Sequence, residues 1–300
     1  MIEYFQLGKT VFDVRKSSQF RRMLVFVVRC MVHHRKVKDL RSFFSADETL
    51  QRILATNPEI YEQLTRHVFY HKSNVPERLA LIKGHYGMAN ENIMSQYLLD
   101  IYNNKPVVLW SHVYGENKID IDLVYRDSDK KEGLMCVVLN INQERIYHIT
   151  FWFGKNAMGE PVIYIGSLQG KRGGAVVIHD LTKYFSGYRP KNLVLFVLRI
   201  IATEIGVVSI RAVSNLGFHT NNHVRVDRKL RTDLDEFWKE TGGVPEDDKR
   251  FYQLPVEEPY KSDDEVPARK RGLYRKRFAA MEELKQQVIA NLRLCLKSSK

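Results

Sequence analysis

The hydrophobic period of this chain changes at Pro106, and that change sets what the chain can fold into. Before it, apolar residues recur every three or four positions, as on one side of a helix. After it they alternate, or run in short stretches of β-branched and aromatic residues. From 17 to about 44, Phe20, Leu24, Val27, Val28, Met31, Leu40 and Phe43 keep helical spacing. Asp47-Glu48 opens another helix that stops before Pro58. Helices over 59–71, 76–86 and 90–102 follow, with Asn57 and Asn74 among the capping residues. Beyond Pro106 the segments 107–114, 119–125, 134–141, 145–153 and 161–168 read as strands, separated by the turn-like GENK, RDSDKKEG, NINQE and GKNAMGEP. Such short connections predict an antiparallel meander. In KIDIDLVYR, Ile119, Ile121 and Leu123 point one way, Asp120 and Asp122 the other.

The pattern then mixes. QGKRGG leads into a helix over 175–185, and Pro190 starts a second helix that runs to Ile205 and is capped by Gly206. VVSIRAVSN reads as a buried strand, FHTNNHVRVDRKLRTD as a polar loop and LDEFWKETGG as a short helix. A last strand covers 250–254. PVEEPYKSDDEVPARKRG reads as a linker to a helix over 273–297, with Phe278, Met281, Leu284, Val288, Leu292 and Leu296 on one face. The expected fold class is α/β (α+β): a mostly antiparallel sheet flanked by helices. It divides into a helical N-terminal region (1–104), an α/β core (105–256), and a linker with a C-terminal helix (257–300). Three hundred residues bury enough surface to need no metal or disulfide staple.

Charge narrows the partners without choosing one. A net charge of +12 favours something anionic: nucleic acid, acidic lipid or a phosphorylated cofactor. Nucleic acid is the weakest of these, because the aromatic residues are not interleaved with basic ones as a stacking platform. Cys30, Cys136 and Cys295 are far apart and show no metal-ligand spacing, so buried reduced thiols and a cytoplasmic location are expected. No secretory signal is expected at the start, and no apolar run reaches the ~20 residues that span a bilayer. The basic helix SSQFRRMLVFVVRCMVHHRKVK leaves two fates open: packing into the core, or lying on the inner-membrane surface.

Chemistry concentrates where a strand runs through YIGSLQGKRGG into a helix. Outward backbone N–H groups and the helix dipole suit a pyrophosphate there, and Lys171 and Arg172 add formal charge. A plain tight turn has the same spacing. His179, Asp180 and Lys183 follow within reach of such a loop, and His179, Asp180 and Tyr252 are the acid/base candidates. His219 and His223 sit four apart in a loop without helix signals, which is poor spacing for a metal, and none is expected. No P-loop, G-x-S-x-G or G-x-G-x-x-G occurs.

Antiparallel strands, a strand ending in Q-x-x-x-G-G, a helix, a buried strand ending in Asn and a short helix with a Gly pair resemble the GNAT acyltransferases. That resemblance implies an acyl donor, acyl-CoA or acyl-carrier protein, held at Gln169, Gly170, Lys171, Arg172, Gly173 and Gly174, with Asn215 matching a family asparagine. The glycines stand one position off the family pattern, and the 32 residues between Gly174 and Val207 leave room for two helices where that family has one. ERLALIKGHYG, YIGSLQGKRGG, LTKYFSGYRPKNLVL, AVSN, DEFWKETGG and YRKRFAAMEEL together resemble the VirK/YbjX family of Gram-negative bacteria. This second resemblance implies links to virulence, antimicrobial-peptide resistance and outer-envelope or lipid A homeostasis. It also leaves room for a non-enzymatic accessory protein that binds anionic lipid or an envelope protein.

Overall fold

The computed structural model describes residues 2–222, 232–258 and 266–297. His223 and part of the 255–272 linker lie outside them. Seven helices precede the sheet: α1 (Ile2–Val11), α2 (Ser17–Val32), α3 (His34–Ser45), α4 (Glu48–Thr56), α5 (Ile60–Thr65), α6 (Val75–Asn92) and α7 (Ser95–Tyr102). Their caps follow local chemistry. Asp47 accepts from the Leu50 amide, and Asn74 with Glu77 forms a reciprocal capping box ahead of Pro76. The helix read over 59–71 ends at Thr65, and Phe69 and Lys72 turn into left-handed backbone, with φ of 70° and 55°.

The sheet comprises β1 (Val107–Tyr114), β2 (Asn117–Val124), β3 (Met135–Ile141), β4 (Glu144–Lys155), β5 (Pro161–Gly170), β6 (Ser209–Val213), β7 (Val244–Pro245) and β8 (Phe251–Leu254). Strands are ordered β1-β2-β3-β4-β5-β6-β8-β7, and every neighbouring pair is antiparallel except β5–β6. That parallel pair is joined through α8 (Ala175–Tyr184) and α9 (Pro190–Glu204), as a crossover requires. α10 (Leu234–Glu240) lies between β6 and β7, and α11 (Arg271–Arg293) closes the described chain.

Alternation gives the sheet two unlike faces. Ile119, Ile121, Leu123, Val137, Leu139, Ile149, Phe151, Ile163 and Ile165 enter one core that also takes residues from the first helices and from α11. Fully burying such a side chain contributes about 1.5–3 kcal/mol, so this face dominates the stability. The opposite face is buried too, yet it carries Asp120, Asp122, Asn140, His148, Thr150 and Ser167. All three cysteines are free and buried.

Candidate functional site

A break in strand register builds the site. Between Thr150 and Phe151 the β4–β5 register shifts, leaving Gly166 without a partner. A Cβ on Gly166 would lie 1.6 Å from the carbonyl oxygen of Glu132, so only glycine lets the segment after β2 cross β5 here. That crossing sets the Glu132 carboxyl over the polar sheet face. Its Oε2 accepts from Gln169 Nε2 at 2.5 Å, and the Ser167 hydroxyl also bonds to it. Ser167 in turn lies 2.7 Å from Thr150 Oγ1. Burial raises the Glu132 carboxyl to about 7, with Asp129 adding to the rise and Ser167, Arg145 and Gln169 opposing it.

His148 lies beside Gln169 across the β4–β5 ladder and is 4% exposed. Burial lowers it to about 4, against the pull of Asp129, so it is neutral at pH 7. Its Nε2 is 3.9 Å from Asp129 Oδ2, too long for a hydrogen bond, and has no hydrogen-bond partner among the described residues. Asp129 is held instead by Arg145 at 2.5 Å and by Ser128 at 2.9 Å. Arg145, His148, Gln169, Gly170, Lys171 and Arg172 line a cavity of about 300 Å³, at the small end of ligand-sized pockets. On the far side, His219 Nδ1 comes within 4.0 Å of Glu132 Oε1. Further along the same face Asn140 donates to Asp122 at 2.6 Å, and burial with the neighbouring Asp120 raises Asp122 to about 6.

Displaced ionisations gathered in one place mark a site able to hold or move a proton. Glu132 is suited to both accept and donate near neutrality; His148 is suited to accept. Arg145, Lys171 and Arg172 give the adjoining cavity an anion preference, although Arg145 is paired with Asp129 at 2.5 Å and Lys171 with Glu144 at 2.6 Å.

Six of the residues expected to bind a donor are contiguous, and the structure assigns them different duties. Gln169 orients Glu132. Gly170 is required because a Cβ would lie 2.6 Å from the Tyr147 ring. Gly173 supplies a left-handed turn, φ 73°, and a Cβ there would meet no atom within 4 Å. The amides of Lys171 and Gly174 are already used, by Ile146 O at 2.8 Å and Lys171 O at 3.0 Å. Arg172 stays exposed at the cavity rim. Asn215 is committed to α10: its Oδ1 accepts from the Leu234 amide at 2.8 Å and its Nδ2 donates to Asp233 at 2.8 Å. His179 and Asp180 stand 3.6 Å apart on the outward side of α8, both about two-thirds exposed, and do not line the cavity. Tyr252 is buried on β8 opposite Ala212.

The β5–β6 pairing stops at Ile165–Ala212, while β5 runs on to Gly170. Phe69 N donates to Lys131 O and His71 N to Gly217 O, each at 2.7 Å, so a strip of the N-terminal region reaches from beside β5 to beyond β6. A bridge between Tyr70 and Phe218 reinforces it. This strip crosses the region where the two strands part.

Glu132, Asp129, Arg145, His148 and Ser167 were not singled out by the sequence, and His219 was weighed only as a metal ligand with His223. Arg145, His148 and Ser167 share one signal, polar residues at alternating positions of 145–168, which a half-exposed sheet face also produces; Asp129 and Glu132 lie in a turn-like segment that carries none.

The model of a family described as "Protein of unknown function (DUF535)" matches residues 15–290. The Escherichia coli (strain K12) protein "Uncharacterized protein YbjX" is 27% identical over 277 residues, covering 89% of this chain and 82% of its own length. A Haemophilus influenzae protein, described only as uncharacterized, is 23% identical over 69% of each chain. No solved structure matches. Among the described residues no helix is long and apolar enough to cross a membrane.

Proposed function

The chain belongs to the DUF535 family, and from that premise we propose that it is an acyl-transfer enzyme with a GNAT-like core. One observation carries the reading: a carboxyl raised to about 7 and bonded to Gln169 sits beside a cation-lined cavity at the end of β5, past the last β5–β6 pair. The element order supports it as well, since β5 with its glycine loop, a helical connection, the buried strand β6 and the short helix α10 follow one another as the resemblance implies, with two helices, α8 and α9, where that family has one.

An acyl donor supplies a thioester and an anionic phosphate end. Arg145, Lys171 and Arg172 bind the phosphate end, with the Gly173 turn giving it room. Glu132 takes the proton of the acceptor's hydroxyl or amine as that group attacks the acyl carbon, and the departing thiol takes up a proton in exchange. Gln169 and Ser167 keep Glu132 aimed, and the burial that raises its pKa lets the proton return at neutral pH. The acceptor class consistent with the VirK/YbjX resemblance is an outer-envelope or lipid A component, which links the reaction to peptide resistance and virulence.

The test is thiol release from acetyl-CoA or acyl-carrier protein in the presence of envelope lipid extract. The expected result is release that depends on the extract and falls about 100-fold in Glu132→Gln, the usual range for loss of an acid/base group. Release no faster than without protein, from either donor, overturns the proposal.

A further inference from the structure

A surface helix ordinarily turns its polar side outward, and α2 does not. At ~100° per residue, Met23, Phe26, Val27 and Cys30 form one side and are buried. Phe20, Leu24, Val25, Val28, Met31 and Val32 form a stripe on the other and are exposed, Val28 to 59% and Val32 to 72%. The helix is thus apolar on both sides: one packs into the molecule and the other faces out.

The surroundings of the stripe are strongly basic. Between Val14 and Lys38 the chain has eight Lys or Arg and no Asp or Glu. Arg15 pairs with Asp13, and Arg22 with Glu62 across the packed side. Lys16 and Arg21 at one end of the helix, and Arg35 and Lys36 just past the other, are exposed and form no ion pair among the described residues. A second copy of the chain would bring this basic collar against itself, which like-charge repulsion opposes. Ordinary solvent exposure leaves an apolar stripe about four turns long in water.

We propose that α2 docks the protein on an anionic phospholipid surface, lying in the plane of the membrane with the Leu24–Val28–Val32 stripe in the acyl boundary. Lys16, Arg21, Arg35 and Lys36 then meet lipid phosphates. This is the geometry of an in-plane amphipathic helix, in which apolar burial and attraction to acidic headgroups add. The inference is independent of the acyl-transfer reading, because the site residues lie on β4 and β5 and the segments flanking them.

Flotation of the full chain tests it, using vesicles of phosphatidylcholine alone and vesicles with roughly one-third phosphatidylglycerol. The protein is expected to float with the acidic vesicles, to float less as salt shortens the ~10 Å screening length, and to bind neutral vesicles about tenfold more weakly. Val28→Glu with Val32→Glu is expected to lower acidic-vesicle binding by about tenfold or more, with the helical circular dichroism unchanged. Arg21→Glu with Lys36→Glu removes the preference for acidic lipid and serves if the first variant misfolds. Equal binding by wild type and a folded charge variant overturns the proposal, as does no flotation with either vesicle. A dimer in gel filtration that Val28→Glu dissolves, without vesicle binding, instead assigns the stripe to a second copy.

Discussion

Replacing Glu132 by Gln should change how stability depends on pH. In the folded chain this carboxyl is raised from 4.5 to about 7, chiefly by burial. The folded state therefore holds the proton more tightly than the unfolded chain between those two values, and stability falls as pH rises through that window. At ~1.4 kcal/mol for each tenfold change in proton affinity, a carboxyl moved from 4.5 to about 7 is about 3 kcal/mol less stabilising ionised above pH 7 than protonated below pH 4.5. Glutamine matches the protonated carboxyl in shape, and its amide oxygen can still accept from Gln169. His148, lowered to about 4, gives a slope of opposite sign over much of the same range, so the wild-type profile alone is ambiguous. The difference between wild type and variant isolates Glu132. Urea unfolding at pH 4.5 and pH 8 reads it, with unchanged m-values as the check on two-state behaviour. The variant should gain about 3 kcal/mol relative to wild type on going from the lower to the higher pH. A difference that does not vary with pH would mean that Glu132 ionises as an ordinary surface carboxyl, and the acid/base role would fall.

Two further substitutions probe the framework. Gly166→Ala drives a methyl into the Glu132 carbonyl, 1.6 Å from the new Cβ; thermal unfolding should show a loss of about 3 kcal/mol, the upper range for overpacking, with transfer activity lost. Asn215→Ala removes the side-chain bonds to the Leu234 amide and Asp233 and should cost about 1–2 kcal/mol by urea unfolding. Donor affinity should stay unchanged, because Asn215 holds α10 and does not line the cavity.

The sheet was readable because its signals are local. The strand expected over 107–114 has those bounds in the structure, and the helix from Pro190 stops one residue short of the Ile205 expected, just before Gly206. Errors arose where periodicity was continuous and geometry was not. The apolar rhythm from 17 to 44 continues past a break at His33, whose φ of −102° ends α2 and starts α3. The helix from Ile2 was not anticipated; its Gly8 is packed on Met23, where a Cβ would lie 2.7 Å from the side chain. Nor did spacing reveal that α2 would bury one apolar side and expose another. For the site, the glycine loop was found by its composition, while Glu132 lies in the turn-like RDSDKKEG and gains its character only by crossing Gly166. A tertiary crossing leaves no trace in spacing. Gly170 and Asn215 show the converse, since motif positions that suggest a ligand are explained here by the Tyr147 ring and by the cap of α10.

The most direct measurement is calorimetric titration of acetyl-CoA and of acyl-carrier protein into the full chain. Heat is expected with one of these donors, weakened by added salt, and lost when Arg172→Glu reverses the charge at the cavity rim or Gly173→Val closes the left-handed turn. Absence of heat with both donors, or heat that Arg172→Glu leaves unchanged, would contradict the assignment of this cavity to the phosphate end of an acyl donor.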